Sequence, residues 1–504
     1  MAIPEKQPHF VLFPFMAQGH TIPIVDIARL LAKRGVTVTL LVTPYNHNRF
    51  KTVIDRAIAS GLNIHISHLK LRSVELGLPE GCENFDMLAS LDEALKFFKA
   101  TAMLEQQVEE ILQNLKPSPS CLISDMCYPW TTNVAVKLQI PRLVFHGTSC
   151  FSLICMHMVG ISKDFEAIAS DTDYFVVPDL PDRIEITKAQ IIGTSQIPHD
   201  WVEIREQMRD AEMEAFGTVA NTFEELEPEY VKQYTKVKGK KVWCIGPVSL
   251  CNENELDKAE RGNKASIDEH ECLKWLDSQE SSSVIYVCLG SLSRLSASQL
   301  IELGLGLEAS NRPFVWVIRN ASDDFKKWLS EENFEERING RGILVHGWAP
   351  QVLILSHPSV GGFLTHCGWN SSLEGITAGV PMLTWPVFAD QFCNEKFIVN
   401  VIKTGIRAGV EVPVVFGEEE NVGVQVKSDD IKKVTDELMD GGEEGEARRE
   451  RARKLGEMAK SAPEEGGSSY LNMTQLIQDV ANYEHRFGND EKLNDGNCSK
   501  IVIQ

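Results

Sequence analysis

Along the first half of the chain, short apolar runs alternate with segments whose apolar positions recur every three or four residues. HFVLFPFM (9–16) is an apolar run, TIPIVDIARLLAKRG (21–35) has the spacing of an amphipathic helix closed by Gly35, and VTVTLLVT (36–43) is a second run. Runs this short and this apolar predict strands buried on both faces. A strand–helix–strand succession predicts parallel pairing, because parallel strands need a crossover and helices to cover the sheet. SCLISD (120–125) predicts a further strand ending at Asp125, and PRLVFHGT (141–148) another after a helix-like stretch. VVPDLP (176–181) is punctuated by prolines and predicts a loop.

The pattern breaks over 251–269 (CNENELDKAERGNKASIDE), which is polar and carries little periodicity, and this segment is read as an interdomain linker. Alternation then restarts. VIYVCLG (284–290), PFVWVIR (313–319), GILVHGW (342–348) and GGFLTH (361–366) predict strands. SASQLIELGLGLEAS (296–310) predicts a helix, and another begins near Asn370. The expected architecture is α/β, with two Rossmann-like, doubly wound domains at 1–250 and 270–468 facing a central cleft. A last helix is expected at about 469–483 and a polar, disordered tail over 484–504.

At 504 residues the chain exceeds one ordinary core, which agrees with two domains. Its formal net charge of -21 argues against a nucleic acid or an anionic membrane as partner. The acidic runs at 417–420 and 442–446 are read as solvated loops. The N-terminal apolar run is interrupted by Pro14 and has no small-residue cleavage site after it, so it reads as a strand rather than a signal peptide. No window holds the ~20 apolar residues of a membrane span. The 12 cysteines show no Cys-x-x-Cys pair, and several, including Cys244, Cys288 and Cys367, sit in or beside apolar runs. Buried thiols in a reducing compartment are expected.

The richest chemistry lies in WAPQVLILSHPSVGGFLTHCGWNSSLEGITAGVPMLTWPVFADQ, from Trp348 to Gln391. A strand ends at His366, Gly368 lets the backbone come close, and a helix begins near Asn370. Free N–H groups and the helix dipole there form an anion site suited to a diphosphate, and His366, Asn370 and Ser371 can add donors. Trp348 offers a flat face for a base, Gln351 and Glu374 can bond ribose hydroxyls, and Asp390 with Gln391 can grip a sugar. No DxD-like carboxylate pair lies nearby, so dipoles and hydrogen bonds rather than a metal would stabilise a leaving diphosphate. Taken singly, Trp348 also reads as a domain-edge aromatic, Glu374 as a first-turn acid, and Asp390–Gln391 as a helix cap. Gly304-Leu-Gly306-Leu-Glu-Ala309 matches a dinucleotide-binding string but falls inside a helical pattern, which sets aside an NAD-dependent oxidoreductase.

The first half supplies a candidate base. His20, in FMAQGHTIP, and Asp125 both stand at carboxyl ends of expected strands, the edges that border the ligand crevice of an open parallel sheet. A histidine can take a proton from a hydroxyl, and a neighbouring carboxylate would stabilise its cation. A lone histidine at a helix start also reads as a cap or a surface residue.

The Trp348–Gln391 stretch closely resembles the signature box of the plant UDP-dependent glycosyltransferases of secondary metabolism. FMAQGHTIP and FHGTSCFSL resemble the same family, and the likeness covers nearly the whole chain. It implies a GT-B fold in which the first domain binds the acceptor, the second binds a UDP-sugar, and the C-terminal helix packs back onto the first. By motif position, Trp348 and Ala349 would contact uracil, and Gln351 and Glu374 the ribose. His366, Gly368, Asn370 and Ser371 would hold the diphosphate, and Asp390 and Gln391 the sugar. Thr148 and Ser291 are further candidates for the sugar or the β-phosphate, and Gln391 with Trp369 favours glucose. His20 would be the base and Asp125 its partner. Phe15, Met16, Gly19, Phe151, Phe388 and Ala389 are candidates for an apolar acceptor pocket, although the apolar ones also read as core.

The resemblance further implies a metal-independent, inverting O-glucosyltransferase using UDP-glucose as co-substrate without a cofactor. Its acceptor would be a hydrophobic aglycone, with a flavonoid or a triterpenoid favoured. The enzyme would be a cytoplasmic monomer with no nucleic-acid partner and no integral membrane segment. UDP-galactose, UDP-xylose or UDP-glucuronate as donor, or a non-catalytic protein that binds a sugar nucleotide or a small metabolite, are the alternatives.

Overall fold

The computed structural model describes residues 7–191 and 199–496. In the first domain the strands are β1 (His9–Phe13), β2 (Thr37–Val42), β3 (Ile64–His68), β4 (Cys121–Asp125) and β5 (Arg142–His146). An antiparallel hairpin follows, β6 (Tyr174–Val176) and β7 (Glu185–Thr187), and then β8 (Gly217–Ala220) and β9 (Lys241–Cys244). Seven of these form a parallel sheet in the order β3-β2-β1-β4-β5-β8-β9. β1 stops at Phe13 because Pro14 has no N–H to give the ladder. VVPDLP, expected as a loop, has only its first residue, Val176, in β6, where it pairs with Glu185 of β7, and 177–181 carry the chain round between the two strands.

The second domain holds β10 (Val284–Cys288), β11 (Phe314–Ile318), β12 (Gly342–His346), β13 (Val360–Thr365), β14 (Met382–Thr384) and β15 (Gly405–Arg407). They form a parallel sheet ordered β12-β11-β10-β13-β14-β15. Each sheet thus reverses its winding once, between β1 and β4 in the first and between β10 and β13 in the second. At such a switch point the loops leaving adjacent strands part and open a crevice.

The polar segment 251–269 contains a short helix, Glu255–Ala259, and the second domain's first helix starts at Glu269. The last helix, Ser468–Gly496, places Met473, Leu476 and Val480 in the core of the first domain, and Trp243 Nε1 donates to its Asp479 at 3.2 Å. It therefore continues past 483, so the disordered tail expected from 484 is helical as far as 496. Residues 497–504 lie outside the described residues. Among the described residues, no helix is long and apolar enough to cross a membrane. Cys244, Cys288 and Cys367 are buried free thiols.

Candidate functional site between the domains

His20 lies in the first turn of the helix Gln18–Lys33, three residues ahead of the expected start. Its Nδ1 stands 2.7 Å from Oδ2 of Asp125, the last residue of β4. Asp125 is fully buried, and its other oxygen accepts the Cys127 N–H at 3.0 Å. Burial alone would lower the histidine's pKa. The Asp125 charge and hydrogen bond, with Asp390 across the cleft, outweigh that and raise it above the ordinary 6.5. Burial pushes Asp125 the other way, yet His20 and the Cys127 N–H hold its carboxyl below the usual range. His20, Asp125 and Cys127 also bring three potential metal-ligand atoms within 4.8 Å of one another. However, Nδ1 is already bonded to the carboxylate, and burial drives the Cys127 thiol well above its ordinary value. That arrangement suits proton transfer better than ligation.

The helix carrying His20 contains Pro23, which has no N–H for the carbonyl of Gly19 four residues earlier. The orphaned Gly19 carbonyl accepts a hydrogen bond from Asn370 Nδ2 of the second domain instead. Asn370 Oδ1 in turn accepts from Asn221 Nδ2 at 3.2 Å. Asn370 thus ties the two walls together at the start of the helix Trp369–Ala378. That helix is capped by Gly368 with no side-chain bond, so its first N–H groups have no side-chain acceptor. His366 follows β13 and is wedged between two glycines. A Cβ on Gly290 or Gly368 would stand 2.4 or 2.3 Å from its Nε2. Burial, then the nearby Arg319 charge, lowers the His366 pKa to about 3. The ring is neutral near pH 7 and offers one N–H to an anion.

Trp348 lies 4.2 Å beneath the Arg319 guanidinium, and Ala349 behind it is buried. Gln351 Nε2 donates to Ser371 Oγ at 3.0 Å and to Glu374 Oε2 at 2.7 Å, which assembles the expected ribose contacts into one cluster. At the other end of the cleft, Thr148 donates to Asp390, which also accepts from Asn394 Nδ2 at 3.0 Å. Burial raises the Asp390 pKa, against the pull of those two bonds. Gln391 Oε1 accepts the N–H groups of Val387 and Phe388 at 2.8 and 3.0 Å, so its amide is fixed with the carbonyl turned to the backbone. Trp369 is buried and donates Nε1 to the Asn221 carbonyl at 2.7 Å.

One cavity runs between the domains, lined by Gly19, His20, Ser291, Trp348, Ala349, Gln351, His366, Gly368, Trp369, Asn370, Ser371, Glu374, Phe388, Ala389, Asp390 and Gln391. Three candidates for the acceptor pocket do not line it. Phe151 is fully buried against Tyr230 and Phe397, at ring distances of 4.8 and 5.1 Å, and is core. Met16 is buried in the same first-domain core cluster as Phe13 and Phe15. Phe15 sits behind His20, its ring edge-on at 5.3 Å and stacked on Phe98 at 5.2 Å, so it packs against the imidazole rather than lining the cavity. The cavity wall also holds Arg261 and Arg319, which no motif pointed to. Arg319 closes an expected strand, and its position directly after β11 was the available signal. Arg261 lies in the polar linker, where nothing in the pattern marks it.

A family model described as UDP-glucoronosyl and UDP-glucosyl transferase matches residues 201–413, and one described as Glycosyltransferase, N-terminal domain matches residues 8–250. UDP-glycosyltransferase 73E1 of Stevia rebaudiana is 58% identical over 485 residues, covering 95% of this chain and 98% of that relative. Among solved structures, Glycyrrhiza uralensis UGT73P12 complexed with glycyrrhetinic acid 3-O-monoglucuronide is similar with a TM-score of 0.88. It is 34% identical and covers 97% of this chain and 99% of its own. Phytolacca americana UGT2 complexed with UDP-2fluoro-glucose and pterostilbene follows at a TM-score of 0.74 and 27% identity, over 94% of this chain and 100% of that one. Relatedness along nearly the full length, on two facing parallel sheets, means that the chain belongs to the plant UDP-glycosyltransferases of GT-B fold, enzymes that move a sugar from a UDP-sugar to a small-molecule acceptor.

Proposed function

We propose that the protein transfers glucose from UDP-glucose to a hydroxyl of a hydrophobic aglycone by a single inverting displacement. The 2.7 Å bond between His20 and Asp125 at the cavity edge carries this reading. With Nδ1–H given to the carboxylate, Nε2 is the basic atom. It removes the acceptor proton as the oxygen attacks the anomeric carbon, and Asp125 stabilises the imidazolium that forms. The C–O bond to UDP breaks on the opposite face, and the β-glucoside leaves with the new bond. The departing diphosphate is received by the uncapped N–H groups at the start of Trp369–Ala378 together with neutral His366, Asn370 and Ser371, without a metal.

Glucose is favoured by the fixed amide of Gln391, whose NH2 remains to donate to a sugar hydroxyl, and by the acceptor Asp390 beside it. The UDP-2fluoro-glucose in the Phytolacca neighbour supports the same donor. The glycyrrhetinic acid glucuronide in the Glycyrrhiza neighbour supports a triterpenoid acceptor, and a flavonoid is the second class. The buried free thiols agree with a reducing, cytoplasmic setting, and a monomer is expected to suffice, since one chain builds both walls of the cleft.

The test is UDP release by the purified protein, in chelator, from UDP-glucose, UDP-galactose, UDP-xylose and UDP-glucuronate. Each donor is paired with triterpenoid and flavonoid aglycones, and product masses are read. A single hexose added from UDP-glucose supports the proposal. Preference for another donor, or a requirement for added metal, overturns that part of it. Donor binding with no turnover on any aglycone would favour a non-catalytic binder.

A further inference from the structure

The polar segment between the domains carries a buried cation that the sequence did not mark. The side chain of Arg261 is only 9% exposed. Its Nε donates to Asp26 Oδ2 at 2.8 Å, and its Nη1 to Glu374 Oε1. Asp26 is 2% exposed and stands on the helix Gln18–Lys33, less than two turns beyond His20. It also accepts from Asn252 Nδ2 at 3.1 Å. Glu374 belongs to the helix at the donor diphosphate site, and its second oxygen accepts from Gln351 at 2.7 Å. One guanidinium therefore joins the helix of the base to the helix of the leaving group.

The residues after Arg261 press on the base shelf. Gly262 has φ +99°, and a Cβ there would stand 2.3 Å from Cζ2 of Trp348, so only glycine fits. Trp348 N donates to Ser266 Oγ at 2.9 Å, and Ser266 N to the Trp348 carbonyl at 2.7 Å. The segment 261–266 thus braces the indole and the carboxylate together.

A carboxylate lining the site of a doubly anionic donor needs neutralising. Left alone, Glu374 would repel the diphosphate and, being buried, would be an unpaired charge with no fixed rotamer. We propose that Arg261 is a positioning residue of the donor site. In this role the Asp26–Arg261–Glu374 bridge holds Glu374 aligned for the ribose and makes donor affinity depend on the packing of the His20 helix against the second domain. This rests on the donor-site reading of Glu374.

The experiment measures UDP-glucose affinity by calorimetry, with KM for donor and acceptor, on Arg261→Met, Arg261→Lys, Asp26→Asn and Glu374→Gln. Arg261→Met is expected to weaken donor binding about tenfold or more, a typical coupling between linked sites, with acceptor KM unchanged. Arg261→Lys should recover part of the loss. Asp26→Asn, which touches no ligand, should weaken donor binding in the same direction, and the double variant with Arg261→Met should fall short of the product of the two effects. Donor affinity within twofold of wild type in Arg261→Met, with only thermal stability lowered, overturns the proposal. Should Arg261→Met fail to fold, unchanged donor affinity in both Arg261→Lys and Asp26→Asn overturns it equally. If Glu374→Gln alone leaves donor binding intact, the ribose reading fails and takes the proposal with it. If Glu374→Gln weakens binding and the Arg261 variants do not, only the bridge is wrong.

Discussion

Asp125 Oδ2 and His20 Nδ1 meet at 2.7 Å although 105 residues separate them, because β1 and β4 are neighbours at the point where the first sheet reverses. The pairing fixes the direction of the pH dependence. As the proposed base, His20 acts only when deprotonated, and its pKa is raised above 6.5, so the acid limb of kcat/KM should lie above pH 6.5, with activity falling as pH drops through it. His20→Ala should lower turnover at least ~100-fold, the usual scale for a lost general base, with UDP binding retained. Asp125→Asn removes the charge that raises the pKa while burial remains, so the limb should move to lower pH as the rate falls. A limb below 6.5 in the wild type, or one unmoved by Asp125→Asn, would contradict the assignment.

Gly368 has an ordinary φ of -58°, so replacing it adds no backbone strain and isolates one contact. The new Cβ would stand 2.3 Å from His366 Nε2. Gly368→Ala should push the ring out of the proposed diphosphate site and raise the UDP Kd by about tenfold, equivalent to about 1.4 kcal/mol. Overpacking of this kind should reduce folding stability by about 1–3 kcal/mol. Calorimetric UDP binding unchanged in a folded variant would remove His366 from the donor contacts.

With its pKa lowered to about 3 by burial and Arg319, His366 carries no charge at any working pH. In His20→Ala, which takes away the cavity histidine whose raised pKa falls in this range, UDP-glucose, whose diphosphate does not titrate near neutrality, should therefore bind equally well from pH 5.5 to 8.5. Affinity rising about tenfold toward pH 5.5 in that variant would mean that the His366 ring takes up a proton in the site.

The two facing α/β domains were legible because parallel strands buried on both faces are plain apolar runs, and most candidate donor residues because they fall within the one continuous stretch from Trp348 to Gln391. β8 and β9, four residues each, are too short to stand out from the surrounding loops. Tertiary partnership is what the pattern hides. Arg261 looks like one more polar linker residue until folding brings Asp26 and Glu374 to it from opposite domains. The role of Pro23 was equally hidden, since the carbonyl it orphans on Gly19 is satisfied only by Asn370 of the other domain. Phe151 failed for the opposite reason: an aromatic in an apolar helix has the same pattern whether it lines a pocket or fills a core.

Gln391→Glu separates the two ends of one amide. The carbonyl that accepts from Val387 and Phe388 is replaced by a carboxylate oxygen that still accepts, so the loop should hold. The NH2 is lost, leaving an anion beside Asp390 where a sugar hydroxyl needs a donor. Donor KM should rise about tenfold or more, by repulsion and a missing bond, with little change in melting temperature. Unaltered donor kinetics would mean that Gln391 serves the loop alone.

Phe151 and Phe388 were alike as acceptor-pocket candidates in the sequence, and the structure gives them different fates. Phe151 is fully buried among Tyr230 and Phe397, so Phe151→Ala should leave a cavity and destabilise the fold by about 3–5 kcal/mol, read by denaturant unfolding. Because its ring does not reach the cleft, acceptor KM at a temperature where the variant stays folded should not change. Phe388 is half-buried and lines the cleft beside Asp390. Phe388→Ala should leave the unfolding midpoint nearly in place and raise KM for a bulky apolar acceptor severalfold, since fully burying a Phe side chain is typically worth about 1.5–3 kcal/mol and only part of the ring is available. Measured side by side, a stability loss confined to Phe151→Ala and an acceptor effect confined to Phe388→Ala would fix which wall of the cleft meets the aglycone. An acceptor effect in Phe151→Ala with stability intact would return that residue to the pocket.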